Sequence, residues 1–339
     1  MRLLILFVWI FFLYLLPSCQ NKQAAPVATK TIHPEGEQNL TLYFIPSPFG
    51  INWTSPKKLF RSVAANYFSF LPFFMGHVAL EVSCSDLENK QQHFFTGMTY
   101  KNMEPISKLL FDQAGLGVMF EKWPGEEEDL SSYQGIIEQL KKPGQKQGIT
   151  FASFKISKDS CSRLVNYHRE FKEHNIGRYY TLYGRPLYGE GAGCSAYGIS
   201  FLEVAGLLNQ EMVKAWSYTI NLPKSLIGAP FFPENKVPIW KFFTEKGSQW
   251  GNSSPDNIPL FFWEPDKMHS WVMAELKNPA SIYKKIKIYK TEGIWIDQSN
   301  APIQSGPIWK ITDRLFFKEL LELNKSLYQK LDAHSHEGL

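Results

Sequence analysis

The chain opens with Met1 and Arg2 and then runs apolar from Leu3 to Leu16, closing on Leu16-Pro17-Ser18-Cys19. That run is 14 residues long, short of the roughly 20 that a spanning helix needs. With a small residue just before the cysteine, the pattern predicts an export signal over residues 1–18, cleaved before Cys19; an uncleaved anchor is the alternative. Residues 19–38 are polar, rich in Ala, Pro, Lys and Gln, and show no apolar periodicity. Such a segment has too little to bury against a core and reads as a flexible tether.

Ordered structure is expected from residue 39. Leu40 to Ile45 alternates as a strand, and Phe60 to Phe74 is an apolar, aromatic stretch predicted as a buried helix or loop ending near Pro72. Gly76 to Val82 reads as a strand, Ser83 to Lys90 as a turn, and Gln91 to Tyr100 as the returning strand of a hairpin. The acidic run Glu126-Glu127-Glu128-Asp129 reads as the solvated start of a helix. Ile149 to Ile156 is a further strand. From Ser157 the period becomes helical, with Cys161, Leu164, Val165, His168 and Phe171 on one face as core residues. A loop dense in Gly and Tyr, from Gly177 to Gly193, leads into a helix from Cys194 to Leu208. Beyond Asn209 the character changes: seven tryptophans, many prolines and short runs such as Tyr283 to Tyr289 precede a last amphipathic helix from Asp313 to Leu331.

The net charge is only +4, with both signs interspersed, so no basic face for nucleic acid is implied. Leu16 to Cys19 resembles the bacterial lipobox, with Leu three residues before the cysteine, a small residue directly before it, and an unusual Pro17 between. The resemblance implies lipidation of Cys19 and attachment to a membrane. Gln20 in place of Asp after the cysteine points to the periplasmic face of the outer membrane. Cys84, Cys161 and Cys194 remain for an oxidising compartment. Three cannot all pair; either Cys84 and Cys161 are bridged beside a free thiol, or all three are reduced.

Cys194 is the best candidate nucleophile. Gly191-Ala192-Gly193 turns the chain into a helix whose first amides and dipole favour an anion, lowering the thiol pKa and offering oxyanion donors. His77, opening a strand after Gly76, is the candidate base. Gly76-His77-Val78-Ala79-Leu80 and Cys194-Ser195 with its apolar helix resemble the histidine strand and nucleophile of the papain-like NlpC superfamily. The order His before Cys is that of its circularly permuted branch, which includes YiiX-like proteins and lecithin:retinol acyltransferase-like enzymes. This likeness spans about residues 40–210. It also implies a third polar residue on the next strand, orienting the histidine. A hairpin turning near residue 86 or 87 places Thr96 opposite His77; His93 is the chemically stronger alternative but would lie opposite residues near 80, and Glu81 shares the His77 face four residues on. Tyr180, Tyr183 and Tyr188 precede the nucleophile as candidates to line the site or donate to an oxyanion, and Arg185 and Glu190 as candidates for a substrate charge; Tyr188 and Arg185 are the favoured substrate contacts.

Metal sites look poor, because no His or Cys pair has zinc spacing; Glu264, Asp266 and His269 cluster between Trp263 and Trp271 but read as a turn. No cofactor is expected. The fold expected is α+β, a permuted papain-like core over residues 39–210 with an antiparallel sheet packed on the Cys194 helix, and an aromatic extension over residues 211–339 packed on it. The expected activity is an envelope-anchored thiol hydrolase or acyltransferase cleaving an amide or ester, its substrate a peptidoglycan peptide or a lipid. The alternative is a non-catalytic envelope lipoprotein that binds a cell-wall or protein partner.

Overall fold

Strand β1, Asn39–Ile45, is buried along its whole length, as its run of Leu, Tyr and Phe requires. It lies at the centre of an eight-stranded sheet in a computed structural model that describes residues 38–69, 75–100, 108–109, 112–128, 134–136, 138 and 148–311. The helix or loop expected at 60–74 lies partly, and the helix expected at 313–331 wholly, outside these residues. All described residues belong to one unit, residues 33–339.

The strands are β2, His77–Ser85; β3, Gln91–Tyr100; β4, Trp123–Glu127; β5, Thr150–Lys155; β6, Tyr179–Tyr180; β7, Ser217–Pro223; β8, Asn257–Trp263; β9, Lys284–Ile288; and β10, Thr291–Asp297. The large sheet runs β6-β4-β3-β2-β1-β5-β10-β9. Its neighbours are antiparallel except β5 and β10, which are parallel. Strands β7 and β8 form a separate antiparallel pair.

The helices whose bounds fall within the described residues are α1, Pro56–Tyr67; α2, Lys158–Glu173; α3, Cys194–Val204; α4, Gln210–Trp216; and α5, Pro265–Lys277. Ser55 caps α1, accepting the Lys58 N–H, with Pro56 in the first turn where its missing N–H costs nothing. Ser157 caps α2 in the same way. Helix α3 ends sooner than the apolar pattern suggests, because Gly206 takes a left-handed φ of +72°.

One apolar cluster fills the space between the sheet and these helices. Leu40, Leu42, Val78, Leu80 and Phe154 meet Leu164, Tyr167 and Phe171 of α2 and Tyr197, Phe201 and Leu202 of α3. A second cluster gathers Trp53, Phe60, Phe242 and the inner residues of β7 and β8. The architecture is α+β with a large, mostly antiparallel sheet, and no described helix is long and apolar enough to cross a membrane.

Two local expectations give way. The acidic run is no helix start, for Glu126 and Glu127 belong to β4 and Glu128 follows directly. The β2–β3 hairpin also turns later than residue 86 or 87, and β2 runs on to Ser85. Ser85 pairs with Gln91, and the Asp86 carboxylate closes the loop by accepting the N–H groups of Glu88 and Lys90. Such side-chain capping stabilises a wider turn. Leu80 therefore faces Thr96, and the residue opposite His77 lies three positions beyond it.

Candidate active site

The chain enters α3 through a sharp bend that only glycines permit. Gly191 has φ +95°, and a Cβ at Gly193 would lie 2.6 Å from the Thr181 carbonyl oxygen. Cys194 is thereby fixed as the first helical residue. The first bond within the helix runs from Tyr197 N–H to Gly193 O at 2.9 Å, so the amides of Cys194, Ser195 and Ala196 precede any intrahelical acceptor.

Against the Cys194 sulfur lies His77, the first residue of β2, joined to it by a hydrogen bond. The second ring nitrogen of His77, Nε2, meets Glu128 Oε2 at 2.9 Å. Glu128 arrives from the end of β4, two strands from β2, its own N–H donating to Gly97 O at 3.0 Å. Its carboxylate passes over Gly97: a Cβ there would stand 2.0 Å from Oε2. The tyrosine hydroxyl of Tyr180, on β6, donates to Cys194 Sγ at 3.5 Å. The Val78 backbone N–H adds a further bond to the sulfur, and the Cys194 N–H donates to the Tyr180 hydroxyl oxygen.

These contacts set the protonation of the pair. Burial pushes the Cys194 thiol up, but the adjacent His77 charge, its hydrogen bond and the donors Tyr180 and Val78 outweigh that and bring it down to about 7. Burial lowers His77, yet the Glu128 carboxylate and the Cys194 thiolate raise it well above the ordinary imidazole value. Both directions favour an imidazolium–thiolate pair near neutrality. The pair is enclosed, Cys194 being 5% and His77 8% exposed.

The other residues singled out in the sequence fall as follows. Thr96 faces Leu80 and its Oγ1 lies 3.2 Å from the Tyr197 hydroxyl, so it does not orient His77. His93 pairs through Nε2 with Glu81 Oε1 at 2.8 Å, while Tyr43 donates to Glu81 Oε2 at 2.7 Å. With them half-buried His93 forms a separate polar group further along the sheet. Arg185 is bound to Glu190, Nη2 to Oε1 at 2.8 Å, and lies 3.7 Å over the ring of Tyr188. Tyr183 packs in the second apolar cluster, near Phe120. Cys19 lies outside the described residues. Of the two arrangements open to the remaining cysteines, Cys84 and Cys161 are bridged, pinning α2 to β2 with a Cα–Cα distance of 6.0 Å.

Glu128 is the member that the pattern of residues did not reveal. Its signal is faint: the buried Trp123 and Gly125 alternate with exposed neighbours just before it, and Gly97 leaves a gap in the facing strand. Among the described residues no group of three or more His, Cys, Asp or Glu could hold a metal ion. Glu264 instead caps α5, accepting the Lys267 N–H at 2.7 Å, and Asp266 accepts the N–H groups of Ser47 and Ile51. His269 Nδ1 meets Thr150 Oγ1 at 3.0 Å.

A hydrogen-bonded nucleophile, base and orienting carboxylate at a helix N-terminus is a constellation competent for acyl transfer. No protein-family model matches the chain, and neither a curated protein nor a solved structure does.

Proposed function

We propose that the protein is a cysteine hydrolase or acyltransferase of the permuted papain-like kind, exported as a lipoprotein, held to the envelope through Cys19, and acting on an amide or ester of a cell-wall peptide or a lipid. The observation that carries this reading is the alignment of Cys194, His77 and Glu128, with the thiol lowered to about 7. A buried structural cysteine has no need of a charged histidine held by a buried carboxylate.

In the reaction, the Cys194 thiolate attacks the carbonyl carbon and a C–S bond forms. The oxyanion is held by amides of the first turn of α3 and by the Tyr180 hydroxyl. As the tetrahedral species collapses, the C–N or C–O bond breaks and the His77 imidazolium gives its proton to the leaving group. Neutral His77 then takes a proton from water or an acceptor, whose attack on the thioester releases the acyl group and returns Cys194. Glu128 keeps the ring oriented and stabilises its cation throughout.

The enclosure of the thiol favours a second reading, a non-catalytic lipoprotein that binds a cell-wall or protein partner with the same fold. One experiment separates them. The protein from residue 20 is labelled with iodoacetamide across pH and read by mass spectrometry, beside Cys194→Ala, His77→Ala and Glu128→Gln. A p-nitrophenyl ester is then followed for a burst of p-nitrophenol. Rapid labelling of Cys194 below about pH 8 that depends on His77, with a stoichiometric burst, is the result expected of the enzyme. A thiol inert to both reagents sinks the catalytic reading.

A further inference from the structure

Helix α1 and the 3-10 turn Ile239–Phe243 are joined by their aromatic rings. Phe60 stacks on Phe242 with centroids 5.1 Å apart and meets Phe243 edge-on at 5.9 Å. Inside this contact the rings are buried; outside it, large apolar side chains face solvent. Trp240 is 63% exposed, Ile239 37% and Phe243 42%, and at the far end of the helix Phe68 and Phe49 are 59% and 65% exposed. Phe49 is fixed there by its N–H bond to Asn66 Oδ1 at 3.0 Å.

The helical part of the same surface carries one sign, while the Trp240 turn brings Lys241 and is followed by exposed Glu245 and Lys246. Helix α1 contains Lys57, Lys58 and Arg61 and no acidic residue. Lys58, Arg61, Ala65 and Phe68 recur at helical spacing on its exposed side. The Lys57 Nζ and the Arg61 guanidinium carbon lie 5.9 and 5.4 Å from the centre of the Phe243 ring. Cations are thus held directly beside exposed aromatic rings rather than paired across the helix with carboxylates.

Isolated exposed apolar residues need no explanation, but exposed aromatic groups at both ends of a cationic helix do. Exposed Trp and Phe supply insertion at the boundary between headgroups and acyl chains, and the adjacent Lys and Arg supply attraction to anionic headgroups. A neutral protein partner would leave the three cations without a counterpart. We propose that the face formed by α1 and the Trp240 turn docks on an anionic lipid surface. Docking holds the folded domain against the bilayer, and this holds whether or not Cys194 is catalytic.

The test uses the chain from residue 20, which retains every described element and lacks the apolar leader. Flotation with vesicles of phosphatidylglycerol and phosphatidylcholine is compared with flotation on phosphatidylcholine alone. Binding to the anionic vesicles, weakened by salt, is expected. The triple variant Lys57→Gln, Lys58→Gln, Arg61→Gln should bind on the order of 100-fold more weakly. Trp240→Ser with Phe243→Ser should also lose binding, and brominated acyl chains should quench Trp240 emission, read as the difference from Trp240→Phe. Unchanged circular dichroism and melting in these surface variants show that folding is kept. Absence of anionic binding overturns the proposal, as does binding indifferent to both sets of substitutions. Capture of soluble polyglutamate with no affinity for vesicles overturns it too, and marks the face as a site for an acidic protein.

Discussion

Glu128 reaches His77 across the bare backbone of Gly97, its Oε2 2.9 Å from the ring Nε2 although the two residues come from strands that are not neighbours. The carboxylate has a path because Gly97 has no Cβ. Gly97→Ala puts a methyl group where Oε2 now lies, so Glu128 must leave His77. The thiol should then move toward the ordinary range near about 8.5, and labelling at pH 7 should fall by about tenfold or more. Thr96→Val, one residue away, should leave that rate unchanged. Rates for the two variants, measured side by side with iodoacetamide, check this.

The pH dependence follows from the lowered thiol. With Cys194 at about 7, half of it is thiolate at neutrality and labelling should plateau above about pH 8. Removing His77 deletes the charge and the hydrogen bond that oppose burial, so His77→Ala should shift the curve to higher pH. Tyr180→Phe, which removes one donor to the sulfur, should shift it the same way by less. A curve unmoved by both substitutions would show that the pair does not exist in solution.

Cys84 and Cys161 close a loop with a sequence separation of 77 and join β2, which bears His77, to α2. Replacing both by Ser, or reducing the bridge, should lower stability by about 2–4 kcal/mol. Urea denaturation with and without reductant measures the difference.

Glu81 has no part in the proposed chemistry but is buried, accepting from Tyr43 and pairing with His93. Glu81→Ala removes the acceptor common to buried Tyr43 and half-buried His93 and should cost about 2–4 kcal/mol in the same denaturation assay. Cys194 labelling in the folded variant should match wild type. Loss of labelling without loss of stability would give Glu81 a role at the thiol.

The elements themselves were largely written in the residues. Alternation marked β1, strand runs either side of a polar turn marked β2 and β3, a helical period marked α2, and Gly191-Ala192-Gly193 before Cys194 marked the entry to α3, because backbone conformation and amphipathic spacing are local properties. Cys194 and His77 were legible for the same reason, each standing at the start of an element where its ring or sulfur projects past the ladder or the first turn. Thr96 and His93 failed as partners of His77 because strand register depends on a loop closed by Asp86, and an offset of three residues changes every facing pair. What only the tertiary structure decided is the identity of Glu128. A carboxylate in an acidic run looks solvated in sequence, and it becomes the partner of a buried histidine only when β4 pairs with β3 and a glycine in β3 leaves room for it to cross. That outcome belongs to strand pairing and missing side-chain volume, quantities that no single stretch of the chain contains.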